Sequence, residues 1–185
     1  MSTESRLTEP ELSSTRTSRR WIAGAGAGLV GGVGMGLILH FVMGAMPVVG
    51  SLYGQPTVLA GWIAHLVHSV VFALLFVGAI TRTGLGRYAR TTARTTGLGT
   101  AYGALLGVAT GAFVLPLWVN AVSAAGMPVP FVSGPAFAGH VVFGLLLGAA
   151  FAVARGTAGT ERATADEPTT DESTTDESDA ESPTA

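Results

Sequence analysis

Residues 58–80 read VLAGWIAHLVHSVVFALLFVGAI and contain no Asp, Glu, Lys or Arg. A helix needs about 20 consecutive, mostly apolar residues to cross the hydrocarbon core of a bilayer, so this stretch is long enough for one crossing. Three further stretches have the same character, at residues 21–45, 97–122 and 134–154. The sequence therefore predicts an all-α fold, a bundle of four transmembrane helices.

The composition places these stretches in one membrane domain. Charged residues make up 12% of the chain, about half the share in a typical soluble domain. No charge lies between Arg20 and Arg82 or between Arg94 and Arg155, which excludes a soluble protein of this size. We expect a membrane domain at residues 21–155 and disordered polar tails at residues 1–20 and 156–185, because the tails have too little apolar surface to offset their ordering entropy.

The arginines predict the orientation. They lie before the first span, between the second and third, and after the fourth, whereas the other two connections are uncharged. Because basic loops stay in the cytoplasm, we expect a multi-pass plasma-membrane protein with both termini cytoplasmic. Arg19-Arg20 before an apolar stretch also resembles a twin-arginine export signal, but the stretch is long for a signal peptide and three more spans follow.

The two halves of the membrane domain resemble each other, which predicts two tandem helical hairpins in a parallel repeat. Span two contains Ala64-His65-Leu66-Val67-His68-Ser69, and span four contains Gly139-His140-Val141-Val142-Phe143-Gly144, so that His65 aligns with His140. Spans one and three each carry a glycine at every fourth position, which predicts grooves for close helix packing. These glycines are Gly24, Gly28, Gly32, Gly36, Gly99, Gly103, Gly107 and Gly111. Pro116 should kink span three and free a carbonyl one turn earlier.

All four histidines lie within the spans, and the predicted topology brings them to the outer half of the bundle. His65 and His68 share a helix face, and Asn120 comes from the outer end of span three. This predicts a polar cluster of His40, His65, His68, His140 and Asn120.

Three interpretations of the cluster stay open. The histidines could form hydrogen bonds between helices, each worth about 0.6–2 kcal/mol. They could bind haem or copper, which imidazole suits and which needs no carboxylate, and the protein would then be a redox or sensor protein. They could also line a path for a small solute or a proton. We expect the first, and therefore no cofactor, with the bilayer as the main partner, a homo-oligomer as an option and no nucleic acid.

The sequence has no motif of an enzyme. Cysteine is absent, which excludes cysteine nucleophiles and disulfides, and the spans contain no acid for a Ser-His-Asp arrangement. We therefore expect no catalytic residue, and an integral membrane protein whose biochemical activity the sequence does not specify.

The chain resembles a group of small, uncharacterised four-span membrane proteins of haloarchaea. The residues that carry the resemblance are the two histidine segments given above, Ala101-Tyr102-Gly103 and Leu115-Pro116-Leu117-Trp118, within residues 21–155. The resemblance implies a four-helix membrane fold and no known activity. Such proteins are sometimes labelled histidine kinases, and nothing in this sequence supports a kinase.

Overall fold

The predicted all-α fold with four membrane-spanning helices is confirmed. The computed structural model describes residues 9–123 and 126–165, and every regular element in these two ranges is a helix. Four helical stretches are long and apolar enough to cross a membrane, as a multi-pass membrane protein requires: Thr17–Val42, Val58–Arg82, Thr92–Val122 and Gly134–Gly156.

Within the described residues, six α-helices, two π-helical segments and one 3₁₀ turn form these stretches and parts of their connections. The α-helices are α1 (Glu9–Leu37), α2 (Met46–Ser51), α3 (Val58–Arg82), α4 (Thr92–Leu106), α5 (Leu115–Val122) and α6 (Gly134–Ala165). A π-helical segment, Ile38–Val42, extends α1, a second one, Gly107–Val114, joins α4 to α5, and a 3₁₀ turn, Gly84–Arg87, follows α3.

The ends of the chain differ from the expected disordered tails where the structure describes them. α1 begins at Glu9, and α6 continues to Ala165, so residues 9–20 and 156–165 are helical. Pro10 at the second position of α1 suits a helix start, because the first turn does not need its missing N–H. Residues 1–8 and 166–185, on which the rest of the prediction falls, lie outside the described residues.

The bundle has two ends, which we name by their residues. The arginine end holds the loop with Arg82, Arg87, Arg90 and Arg94 and also Arg155; the histidine end holds the connections at residues 43–57 and 123–133. Threonines cap α3, which follows the 43–57 connection, and α4, which follows the arginine loop: Thr57 Oγ1 accepts a hydrogen bond from Ala60 N at 3.2 Å, and Thr91 Oγ1 accepts one from Arg94 N at 3.3 Å. Such N-caps satisfy backbone donors that the first turn leaves without partners.

The first hairpin, α1 with α3, packs along the glycine row of α1. A Cβ atom on Gly28 would lie 2.9 Å from Ser69 O, and one on Gly32 would lie 2.6 Å from Ser69 Oγ. Real Cβ atoms do not come this close, so these positions need glycine. The row therefore lets α1 and α3 approach closely, which favours dispersion contacts between helices in lipid.

The second hairpin, α4 with α6, brings backbone against backbone. A Cβ atom on Gly99 would lie 2.8 Å from Gly148 Cα, and one on Gly103 would lie 2.9 Å from Gly144 Cα. α1 also packs on α6, where a Cβ atom on Gly31 would lie 2.7 Å from Phe143 O. The helices therefore follow one another in space as α3, α1, α6 and α4.

The side chain of Tyr102 connects α4 back to α3. Tyr102 Oη donates to Phe72 O at 2.8 Å, and its ring lies 5.3 Å from that of Phe76 between centroids. Phe76, Leu147 and Phe151 are buried nearby and form the apolar core toward the arginine end.

The outer surface of the bundle is apolar, as contact with lipid requires. Leu59, Ile63, Val67, Val71 and Leu75 follow one another at four-residue steps along α3, and all five are exposed. A soluble protein seldom shows such a continuous apolar face.

Pro116 lies in α5, directly after the second π-helical segment. Because proline has no backbone N–H, the carbonyl one turn earlier, Ala112 O, loses its α-helical partner. Phe131 N donates to that oxygen at 2.8 Å. The carbonyl that the sequence predicts to be freed therefore ties the 123–133 connection to span three.

Candidate functional site

A cavity of about 170 Å³ opens in the histidine end of the bundle. His65, His68 and His140 line it, and most other lining side chains are apolar. Among them are Met35, Leu39, Met43, Phe72, Val114, Trp118 and Phe131. A smaller cavity of about 80 Å³ shares the three histidines, Met35 and Phe72 with the first one and reaches Ser69 and Phe143.

Both π-helical segments contribute to the cavity wall. Leu39 comes from the segment that extends α1, and Thr110, Gly111 and Val114 come from the segment before α5. A π-helical turn widens the helix and shifts the face that the following residues present, and such turns occur frequently at functional sites. The short helix α2 closes one side through Val48 and Val49.

His65 is the most buried of the three cavity histidines, with 7% of its surface exposed. Its Nε2 lies 2.9 Å from Gly32 O on α1. A carbonyl oxygen only accepts hydrogen bonds, so Nε2 carries the hydrogen and donates it. In the neutral ring the other nitrogen, Nδ1, is then an acceptor.

His68 has partners at both ring nitrogens. Its Nδ1 donates to Ala64 O at 2.8 Å, and Tyr53 Oη lies 2.9 Å from its Nε2. The rings of Tyr53 and Trp118 lie 5.8 and 6.2 Å from the His68 ring between centroids. His68 therefore joins α3 to the loop after α2 and to α5.

His140 lies against the second π-helical segment. Its Nδ1 donates to Ala136 O at 2.8 Å, and its Nε2 lies 3.2 Å from Thr110 Oγ1. The Thr110 hydroxyl in turn donates to Leu106 O at 2.6 Å. A Cβ atom on Gly111 would lie 3.3 Å from His140 Cε1, so this glycine leaves the imidazole room beside the cavity.

Two of the five residues predicted to form the cluster do not line the cavity. His40 packs against Phe41 and Trp62, with ring centroids 4.5 and 6.1 Å away. Asn120 holds the 123–133 connection, because its Nδ2 donates to Met127 O at 2.9 Å and its Oδ1 accepts from Met127 N at 2.7 Å. The structure thus brings together three of the four histidines.

The predicted packing glycines all lie at helix contacts, and three of them, Gly36, Gly107 and Gly111, lie beside cavity histidines. A Cβ atom on Gly36 would meet Trp62 and lie 3.2 Å from His65 Cδ2, and one on Gly107 would lie 3.1 Å from His140 Cβ. The glycine rows therefore bring spans one and three close to the imidazoles on spans two and four.

Several residues that shape the cavity are not among those predicted from the sequence. Thr110 could have been found, since it is a hydroxyl in the middle of an apolar span. Tyr53 and Phe131 are in connections whose paths the sequence pattern does not specify. Met35 has no sequence signal, because a methionine in a span is ordinary.

Within residues 9–123 and 126–165, no group of three or more His, Asp or Glu side chains is arranged to hold a metal ion. Each cavity imidazole donates one N–H to a backbone carbonyl, a contact that histidines in metal sites also commonly make.

No protein-family model, curated protein or solved structure matches the chain. The resemblance to haloarchaeal four-span proteins stays a prediction.

Proposed function

We propose that this membrane protein binds a small, neutral, mainly apolar molecule in the histidine-lined cavity. The observation that carries the proposal is the cavity itself, about 170 Å³ with three imidazoles in an otherwise apolar wall. An apolar cavity of about 150 Å³ in a protein core holds benzene, so a molecule of one ring is the size that fits.

The charges around the cavity favour a neutral ligand. No Asp or Glu occurs between Glu11 and Glu161, so a cationic molecule would have no carboxylate partner within the bundle. A buried charge without a partner costs several kcal/mol. The few polar groups would orient the ligand, while the apolar wall would supply most of the binding free energy.

A variant that fills the cavity tests this proposal. Ala136 lines the cavity, whereas Ala138 is exposed on the same helix, so Ala136→Leu and Ala138→Leu add the same side chain in two environments. With Trp21 and Trp62 replaced by phenylalanine, the emission of Trp118 in the cavity wall reports binding of phenol. We expect phenol to change the emission of the parent protein and of Ala138→Leu, and not that of Ala136→Leu. Equal responses in all three would indicate partition into the detergent and would refute the pocket.

A copper site is the second candidate, and the types of donor atom in the cavity wall favour it. Met35 and Met43 add thioether side chains to the cavity wall, and thioether and imidazole ligands without a carboxylate suit Cu(I). Metal analysis of protein purified from native membranes tests this function. One copper per chain, lost in both His65→Ala and His140→Ala, would show that the cavity holds the metal and would refute binding of a small molecule as its function.

Haem fits the cavity less well, because the cavity volume is below the 300–1,000 Å³ that is usual for ligand pockets. A Soret band in the purified protein would be the decisive signal for haem.

Conduction of a solute or proton has weaker support. On the arginine side of the cavity, Phe143, Leu147 and Phe151 are buried with at most 2% of their surface exposed. A path through the bundle would have to pass these apolar side chains. A flux into liposomes that His65→Ala or His140→Ala alters would favour conduction.

We also propose that the protein lies in the plasma membrane with the arginine end in the cytoplasm. The support is the charge distribution, since all the arginines of the connections are at one end of the bundle. A reporter fused at Tyr88 should then read cytoplasmic and one at Gly50 external. A cytoplasmic signal at Gly50 would reverse the orientation.

A further inference from the structure

The hydrogen-bond groups of the cavity are unequally divided between donors and acceptors. Three neutral imidazoles bring three N–H groups, and each of these N–H groups already donates to a backbone carbonyl, Gly32 O, Ala64 O or Ala136 O. The groups that remain for a ligand are therefore ring nitrogens with lone pairs.

His65 offers the clearest acceptor. Its Nε2 donates to Gly32 O, and no described residue donates to its Nδ1. The ring lines both cavities. A ligand hydroxyl or N–H that reached this nitrogen would form a hydrogen bond without displacing a protein group.

His140 is in a chain of three hydrogen-bond contacts that contains only two hydrogens. The chain runs from Ala136 O through the imidazole and the Thr110 hydroxyl to Leu106 O. The neutral ring supplies one hydrogen, at Nδ1, and Thr110 supplies one, which it donates to Leu106 O. Between His140 Nε2 and Thr110 Oγ1, 3.2 Å apart, two lone pairs face each other.

His68 lacks such a deficit. Its Nδ1 donates to Ala64 O, and the Tyr53 hydroxyl supplies the hydrogen for its Nε2. The two contacts of this ring thus have two hydrogens, so His68 needs no donor from a ligand.

We infer that the cavity selects molecules that donate hydrogen bonds, namely small phenols, alcohols or other neutral molecules with an O–H or N–H group, and that His65 Nδ1 and His140 Nε2 are the acceptors. This inference rests on the proposed function and adds the chemical class of the ligand. A ligand with only acceptor groups would place its lone pairs against those of the two rings.

Three probes of similar size separate the effect of a hydrogen-bond donor on binding from the effect of molecular shape. Phenol donates, toluene neither donates nor accepts, and pyridine only accepts. A net hydrogen bond contributes about 0.5–1.5 kcal/mol, so we expect phenol to bind about three- to tenfold more tightly than toluene, and pyridine to bind no better than toluene. The dissociation constants come from titrations of Trp118 emission in the protein that has Trp118 as its single tryptophan.

Two variants assign the preference to the rings. His65→Phe keeps the ring shape and removes the acceptor, so the ratio of the toluene to the phenol dissociation constant should fall severalfold. Thr110→Val removes the hydroxyl that faces His140 Nε2, so the same ratio should stay unchanged or rise. This variant still tests the inference if His65→Phe fails to fold. Tyr102→Phe removes a hydroxyl that does not line the cavity and should leave the ratio unchanged.

The outcomes distinguish this inference from the proposed function. Toluene that binds as tightly as phenol, with both lost in Ala136→Leu, would leave the pocket in place and overturn the selection for donors. Pyridine that binds most tightly would also overturn it. A protein that binds none of the three probes would refute the proposed function, and the inference would fall with it.

Discussion

The two hairpins carry the same glycine spacing but pack in different registers. In the sequence alignment, Gly24 pairs with Gly99 and His65 with His140. In the structure, Gly28 lies over Ser69 and Ala73, whereas Gly99 lies over Gly144 and Gly148, the residues aligned with them. Each glycine of span three therefore contacts its partner helix one helical turn away from the place that the sequence alignment with span one predicts.

The same shift occurs near the histidines. Gly36 faces Trp62 and His65, and Gly107 faces the aligned residues Phe137 and His140. One turn further along, the first hairpin has His40 and the second has Gly111. The small residue beside His140 leaves space at the cavity, whereas His40 packs against Trp62.

The residues opposite each row account for the difference. In the first hairpin, the glycines mostly meet the side chains of Ser69, Ala73 and Val77, and only Gly28 also meets backbone atoms, Ser69 O and Val70 Cα. In the second, Gly99 and Gly103 meet Gly144 and Gly148, so two glycine rows interlock and the backbones touch. A glycine row therefore gives a helix a groove, whereas the residues on the partner helix determine the register of packing.

The largest effect should come from Gly103→Leu. A side chain at Gly103 would collide with His140 O and Gly144, which are backbone atoms that cannot move away alone. We expect the free energy of unfolding to fall by at least about 3 kcal/mol, toward the upper end of the cost of overpacking. Thermal unfolding in detergent measures it.

Gly97→Leu is the matched control, because nothing lies within 4 Å of a Cβ atom at Gly97 on the same helix. It should unfold close to the wild-type temperature. Equal stability of Gly103→Leu and Gly97→Leu would show that the second hairpin does not depend on backbone contact.

Alanine at Gly103 in the second hairpin and at Gly36 in the first tests the same difference with a smaller side chain. At Gly103 the added methyl group meets backbone, so Gly103→Ala should cost about 1–3 kcal/mol. At Gly36 it meets the edge of the Trp62 ring, a half-buried side chain that can rotate. Alanine also favours the helix over glycine by up to about 1 kcal/mol, so Gly36→Ala should cost less than about 1 kcal/mol. Unfolding temperatures measured in the same detergent give the order of the two variants. The reverse order would contradict the difference between the hairpins.

The four helices could be predicted from the sequence because crossing a bilayer requires long uncharged segments, and such segments are visible without a structure. The predicted second span, residues 58–80, agrees closely with the helical stretch Val58–Arg82. His65 and His68 were predicted to share a face from their three-residue spacing, and both line the cavity. These features depend on local geometry, which a sequence pattern contains.

The composition of the cavity could not be predicted in full. The prediction for His40 used the rise of an α-helix, which gives a depth in the membrane and not a helix face, and His40 lies in a π-helical segment, which changes the face of the side chains. Asn120 bonds to Met127, seven residues away, because the connection folds back on it. The one-turn shift between the hairpins depends on contacts between helices, which the glycine spacing alone does not specify.

The smallest expected effect concerns the bridge that joins the two hairpins across α3 and α4. Tyr102→Phe keeps the ring against Phe76 and removes the hydrogen bond to Phe72 O. Because Phe72 O keeps its partner within α3, we expect a loss of only about 1 kcal/mol, the net value of one hydrogen bond. Tyr53→Phe removes a hydroxyl from an exposed tyrosine within one connection and is the comparison variant. In thermal unfolding Tyr102→Phe should be the less stable of the two, because the Tyr102 hydrogen bond links one hairpin to the other, whereas the Tyr53 hydrogen bond stays within the first hairpin. A Tyr102→Phe protein as stable as the wild type would mean that the hydrogen bond to Phe72 O adds nothing to the other contacts between the hairpins.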